Sequence, residues 1–211
     1  HNSKAVDAFL SGYVGYLVLD AHSVYDHLFL DGKMRECGCW AHARRYFFKS
    51  LQSEPRRARE ALAFISQLFA LERDIKNVSA DERLKIRKQK HLTVIESFER
   101  WCDAESLNVL DESPLAKAIG YARNQRDALR RFLEDGRLPL DNNWSERELR
   151  RIAWGRDNWL FVGSEDGGHT MATFVSLIAS CQLHGIEPLG YLRDLLCLLP
   201  SWSQTKVLEL S

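Results

Sequence analysis

No sign of charge dominates this sequence. Its 29 Lys plus Arg equal its 29 Asp plus Glu, so no global field draws it to nucleic acid. Any such binding has to come from a local cluster. Long apolar runs are missing as well. The longest fall far short of a bilayer's thickness, so no membrane partner is expected. Paired cysteines are also lacking. The five Cys are odd in number and irregularly spaced, and no signal-peptide pattern is present. Free thiols in a reducing, cytoplasmic setting are therefore expected. What 211 residues at 45% hydrophobic content do offer is one sizeable core, or a core plus a helical subdomain.

The first ordered element to expect is a strand. Val14 to Leu19 is short, β-branched and aromatic, with almost no polar alternation, as a central strand should be. It closes on Asp20, and α/β sheets place ligands at the C-terminal ends of their strands. His22 to Leu30 fits a short helix, Asp31-Gly32-Lys33 a turn, and Met34 to Cys39 a second, weaker strand. A helix then opens at Cys39-Trp40-Ala41-His42-Ala43-Arg44-Arg45, with Trp40, Ala43 and Phe47 on one face. Cys39 and His42 share a face at i, i+3. That spacing fits packing plus a hydrogen-bonded imidazole. The alternative is structural zinc, with Cys37 or the distant Cys181-Gln182-Leu183-His184 supplying further ligands.

From Pro55 to Gly136 the pattern changes to amphipathic helices. Ser79-Ala80-Asp81-Glu82 is a capping box, and Ser113-Pro114 caps a third helix that Gly136 should end. The Lys/Arg-dense run Arg83 to Lys90 reads as a solvated helix face, with nucleic-acid contact as the minor alternative. Beyond this stretch, Leu138 to Arg151 concentrates carboxylates, two amides and a run of arginines at an expected helix start. Asn143 suits an N-cap, and Glu146 stands in the capping-box position. Glu146 therefore has two readings, a cap or a site carboxylate. Trp144 and Trp159 are core or rim aromatics, or platforms for an unpaired base. Gly163 to Gly168 reads as a turn before an apolar helix, and Pro188 opens the last helix, which Pro200 stops.

These stretches resemble the transposases of the insertion sequence 66 family. Four ordered blocks carry the resemblance: the strand ending at Asp20; Cys39-Trp40-Ala41-His42-Ala43-Arg44-Arg45; Asp141-Asn142-Asn143 followed by Glu146-Arg147; and Gly155-Arg156 through Asn158-Trp159-Leu160-Phe161 to Gly163-Ser164. The resemblance implies an RNase H-like core of the DDE type, in which two aspartates and a glutamate hold two divalent metals, Mg²⁺ or Mn²⁺. Asp20 corresponds to the second aspartate and Glu146 to the glutamate. Cys39 and His42 form a structural motif, and the helical stretch is the family's insertion. The first aspartate lies well upstream in the family, whereas nineteen residues precede Asp20 here. Asp7 sits in the wrong context to replace it. The family has Gly after the second aspartate; this chain has Ala21.

The expected fold is α+β and helix-rich, a partial RNase H-like core with an all-helical insertion. Residues 1–54 and 137–211 form the core, and 55–136 the insertion. The expected function is DNA transposition by phosphodiester cleavage and strand transfer. Because one aspartate is missing, this chain alone is expected to be inactive. Arg147, Arg150, Arg151 and Arg156 are expected to track the DNA backbone. Partners are terminal-repeat and target DNA, and a second copy of the chain. Two rivals stand beside this reading: a non-catalytic DNA-binding or assembly remnant, and an unrelated zinc-holding α+β domain.

Overall fold

The run Gly15-Tyr16-Leu17-Val18-Leu19 leaves no polar face for a helix to present, and the chain extends there. The computed structural model describes residues 3–159 and 163–202. After a short helix α1 (Ser3–Phe9), strand β1 (Gly15–Leu19) leads through a 3₁₀ helix (Ser23–Phe29) into strand β2 (Met34–Gly38). The two strands pair in parallel, with Gly15 opposite Met34 and Leu19 opposite Gly38. A parallel pair needs a crossover connection, and here a 3₁₀ helix supplies it. Among the described residues β1 has this single strand neighbour, and it is half-buried along its length rather than enclosed like a central strand.

Helices α2 (Trp40–Lys49), α3 (Pro55–Asp74), α4 (Ala80–Ile86), α5 (Leu92–Glu105), α6 (Pro114–Asn124) and α7 (Arg126–Arg130) follow. The caps foreseen from sequence are formed. Ser79 Oγ accepts the Glu82 N–H at 3.3 Å and Ser113 Oγ the Ala116 N–H at 3.0 Å. Trp40, Ala43 and Phe47 of α2 enter one hydrophobic core with Ile65 and Leu68 of α3, Phe98 of α5 and Ile119 of α6. Trp40 and Phe47 meet the Phe98 ring at centroid distances of 5.5 and 5.6 Å. Burying one such ring contributes roughly 2–3 kcal/mol. The helical stretch and the Cys39–Arg45 block are thus built on common packing.

Two departures from the sequence pattern shape this core. The third helix does not run to Gly136. It stops at Gln125 (φ −96°, ψ 13°), restarts as α7, and tightens into a 3₁₀ turn at Arg131–Leu133. Gly136 instead permits a close approach, because a Cβ there would collide with the Ala80 carbonyl at the start of α4. Between α4 and α5 a π turn spans Arg87–His91. It turns Arg87 and His91 fully into the interior, so the basic run is not simply a solvated face. Arg87 reaches Glu72 through two bonds of 2.5 and 3.1 Å and the carbonyls of Phe132 and Asp135 at 3.0 and 3.2 Å. His91 Nε2 lies 3.4 Å from the same carboxylate. Burial pushes the Glu72 carboxyl up, but bonds from His91 and Arg87 and their charges outweigh it and hold it at about 2. Lys85, Lys88 and Lys90 remain exposed.

The chain divides into two units, residues 1–144 and 145–211. Helix α8 (Asn143–Trp159) spans the division. In the second unit α9 (Glu165–Leu183) packs with α10 (Pro188–Leu198). Of the glycine-rich run Gly163 to Gly168, Glu165 to Gly168 form the first turn of α9, capped by Ser164 Oγ on the Gly167 N–H at 3.0 Å. No helix among the described residues is long and apolar enough to cross a membrane.

Candidate functional site

Because β1 and β2 are parallel and Leu19 stands opposite Gly38, the residues that follow them leave the same edge of the sheet. These are Asp20 and Cys39. The Asp20 side chain is 43% exposed, and His42 in the first turn of α2 brings its Nε2 to 3.9 Å from Asp20 Oδ2. The same ring nitrogen lies 3.1 Å from an Arg45 guanidinium nitrogen. Ala21 turns the chain away at φ 62°, a left-handed conformation that costs an L-residue roughly 1–2 kcal/mol and glycine almost nothing. Ala21 thus holds a backbone position that favours glycine.

A second block joins this edge from about a hundred residues downstream. Cys39 Sγ donates to Asn142 Oδ1 at 3.0 Å and accepts the Asn142 N–H at 3.5 Å. The Trp40 N–H donates to the Leu140 carbonyl at 3.1 Å, and Trp40 Nε1 to the Leu129 carbonyl at 2.9 Å. Burial raises the Cys39 thiol above its ordinary range, so this sulfur is a weak hydrogen-bonding group holding Asn142 rather than a nucleophile. The Asp141 carboxylate accepts the Asn143 N–H at 3.1 Å and its side-chain amide at 2.6 Å. Asn143 is the first residue of α8 and not its cap, which leaves Glu146 one place beyond the capping-box position.

Asp20, Cys39, His42 and Asp141 to Asn143 therefore gather in the first unit. Glu146, Arg147 and Arg150 follow on α8 in the second. Glu146 is half-buried, and Arg147 and Arg150 are exposed. Trp144 is 56% exposed. The side chains of Arg151, Arg156 and Trp159, and residues 160–162 of the fourth block, lie outside the described residues. Tyr121 was not singled out in the sequence. It stacks on Tyr46 with centroids 4.6 Å apart, and its hydroxyl is held above its usual range by burial, then by neighbouring Cys39, Tyr46 and Asp20. A tyrosine on an amphipathic stripe gives no signal of such a position.

The donor chemistry suits a hard cation in kind but not in number. Asp20 offers an exposed carboxylate at a strand end, yet no group of three or more His, Cys, Asp or Glu poised for a metal occurs among the described residues.

The comparisons with known proteins decide the family. The model of the Transposase IS66 family matches residues 1–170, and that of the IS66 C-terminal element residues 176–211. The chain belongs to the IS66 transposase family. Three relatives from Sinorhizobium fredii (strain NBRC 101917 / NGR234) are similar over most of it. Uncharacterized protein y4qI is 34% identical over 92% of this chain and 38% of its own length. Uncharacterized protein y4hP is 32% identical over 95% and 40%. Uncharacterized protein y4jD is 32% identical over 97% and 41%. The IS66 chain thus spans about two fifths of the curated relatives it matches. No solved structure matches it.

Proposed function

We propose that this chain is the C-terminal part of an RNase H-like DDE transposase core, acting on DNA phosphodiesters at insertion-sequence ends. The observation that carries the reading is the gathering of Asp20 with the Cys39–His42 and Leu140–Asn143 blocks at one sheet edge. Residues 55–136 are the insertion, folded against that edge. Asp20 and Glu146 would hold divalent metal together with an aspartate supplied by sequence outside this chain. When bound, two Mg²⁺ or Mn²⁺ ions roughly 3.5–4 Å apart supply the nucleophile activation and leaving-oxygen stabilisation of phosphoryl transfer. Of the chain's own groups, His42 sits beside Asp20, its Nε2 3.9 Å from Asp20 Oδ2. Cys39 holds Asn142, the residue before α8 begins. Arg147, Arg150, Arg151 and Arg156 hold the DNA backbone without reading sequence.

The test is strand cleavage of terminal-repeat DNA in Mg²⁺ or Mn²⁺. The 211-residue chain alone should give no cleavage above background. A polypeptide extended to the length of its relatives should cleave, and Asp20→Asn or Glu146→Gln should each lower its rate on the order of a thousandfold. Undiminished cleavage by either variant overturns the assignment, and robust cleavage by the short chain overturns its incompleteness. An extended protein that binds terminal-repeat DNA without cutting it would favour the assembly-remnant alternative.

A further inference from the structure

Most arginines of the first unit are bonded within it. Arg35, Arg57, Arg87, Arg123, Arg126, Arg130 and Arg137 each meet a carboxylate, and Arg83 binds backbone carbonyls. Arg44 and Arg73 do neither. Both are exposed, neither has a bonded side-chain partner among the described residues, and both line one groove of about 410 Å³ between α2, α3 and the start of α8. Ala41, Ser66, Phe69 and Asn143 complete its wall. Ala41 lies in the first turn of α2 and Asn143 opens α8, so the positive ends of two helices border the groove. Along α3 the face continues through Arg59, Ser66 and Arg73 at seven-residue spacing, an exposed line of about 21 Å.

We infer that this groove is a second backbone-binding site, which takes the phosphodiester chain of DNA through Arg44 and Arg73. Its arginines are other than those on α8. Unpaired guanidinium groups keep their fork of donors available for phosphate oxygen, which the carboxylate-bound arginines elsewhere do not. The Ser66 hydroxyl adds a neutral donor of the kind that binds phosphate, and the Ala41 and Phe69 surfaces offer no base-edge pattern. The groove therefore holds DNA without discriminating sequence. The inference rests on the proposed reading that this chain acts on DNA.

The experiment follows fluorescence anisotropy of a labelled random-sequence duplex with the 211-residue chain across a NaCl series. Wild type should give a linear fall of log affinity with log salt. Arg44→Ala/Arg73→Ala should make that slope shallower by about two and weaken low-salt binding about tenfold or more, since each lost phosphate contact removes ~0.9 from the slope. Single Arg44→Gln and Arg73→Gln variants should each remove about half of that change, and serve if the double variant loses its circular dichroism. Arg44→Lys/Arg73→Lys should keep the slope, and Lys88→Ala/Lys90→Ala should leave binding unchanged. A wild type that binds while the Ala and Gln variants keep its slope overturns the groove alone. A wild type that does not bind overturns the DNA reading and the groove with it.

Discussion

The helical stretch from Pro55 to Leu133 and the opening turns of α8 are both rich in arginine, and they hold it in opposite ways. In the first, Arg130 grips Glu99 with two bonds of 2.6 Å, Arg126 grips Asp103 at 2.7 and 2.8 Å, and Arg87 is wholly interior on Glu72. In the second, Arg147 and Arg150 are exposed, with no bonded side-chain partner among the described residues. The difference teaches that a basic run is not a binding face by virtue of composition. What decides is whether acids at the right distance in the fold neutralise it. Arg44 and Arg73 belong with the second kind although Arg73 sits within the first region.

The contrast can be broken most directly at Glu72. Glu72→Gln leaves Arg87 buried without its counter-charge, and urea unfolding should show a loss of about 3–5 kcal/mol. A loss below about 1 kcal/mol would mean that the stretch is not held by its internal ion pairs. Acid supplies the next largest effect. The folded carboxyl of Glu72 is depressed to about 2, so its contribution is complete above the ordinary glutamate range and disappears as pH falls through the folded value. On the order of 3 kcal/mol should therefore be lost between about pH 5 and pH 2, and Glu72→Gln should lack that part of the acid dependence. The smallest effect belongs to α8. Arg147→Ala/Arg150→Ala should change unfolding free energy by no more than about 0.5 kcal/mol while lowering DNA affinity and its salt slope. A stability loss like that at Glu72 would erase the distinction between the two regions.

Local chemistry made much of this legible. The two strands, the short helix between them and the Ser79 and Ser113 caps follow from residues within a few positions of each other. Asp20 at a strand end was legible for the same reason. What escaped depended on partners far along the chain. Nothing near Arg87 announces its burial, because the acid that permits it is fifteen residues back on α3 and the π turn that aims it inward has no breaker residue. The stripe Leu115, Ile119, Ala122, Leu129 and Phe132 keeps helical spacing across Gln125, so periodicity joined what the backbone separates. Asn143 resembled a cap because Asn commonly caps. Asp141 reaching over Asn142, whose side chain is turned to Cys39, moved the helix start by one residue. The Arg44–Arg73 groove needs two helices laid side by side, which no single window contains.

The thiol–amide link between Cys39 and Asn142 closes a loop of 103 residues. Most of that loop is the helical stretch, and closing it from an unfolded chain carries an entropic penalty that grows with loop length. The two ends can meet cheaply only once the helices between them have collapsed. The packing of the intervening helices is therefore what brings the two blocks together at this edge. A lesion deep in the helical stretch would leave the Cys39 and Asn142 blocks unjoined, far from where the damage was done.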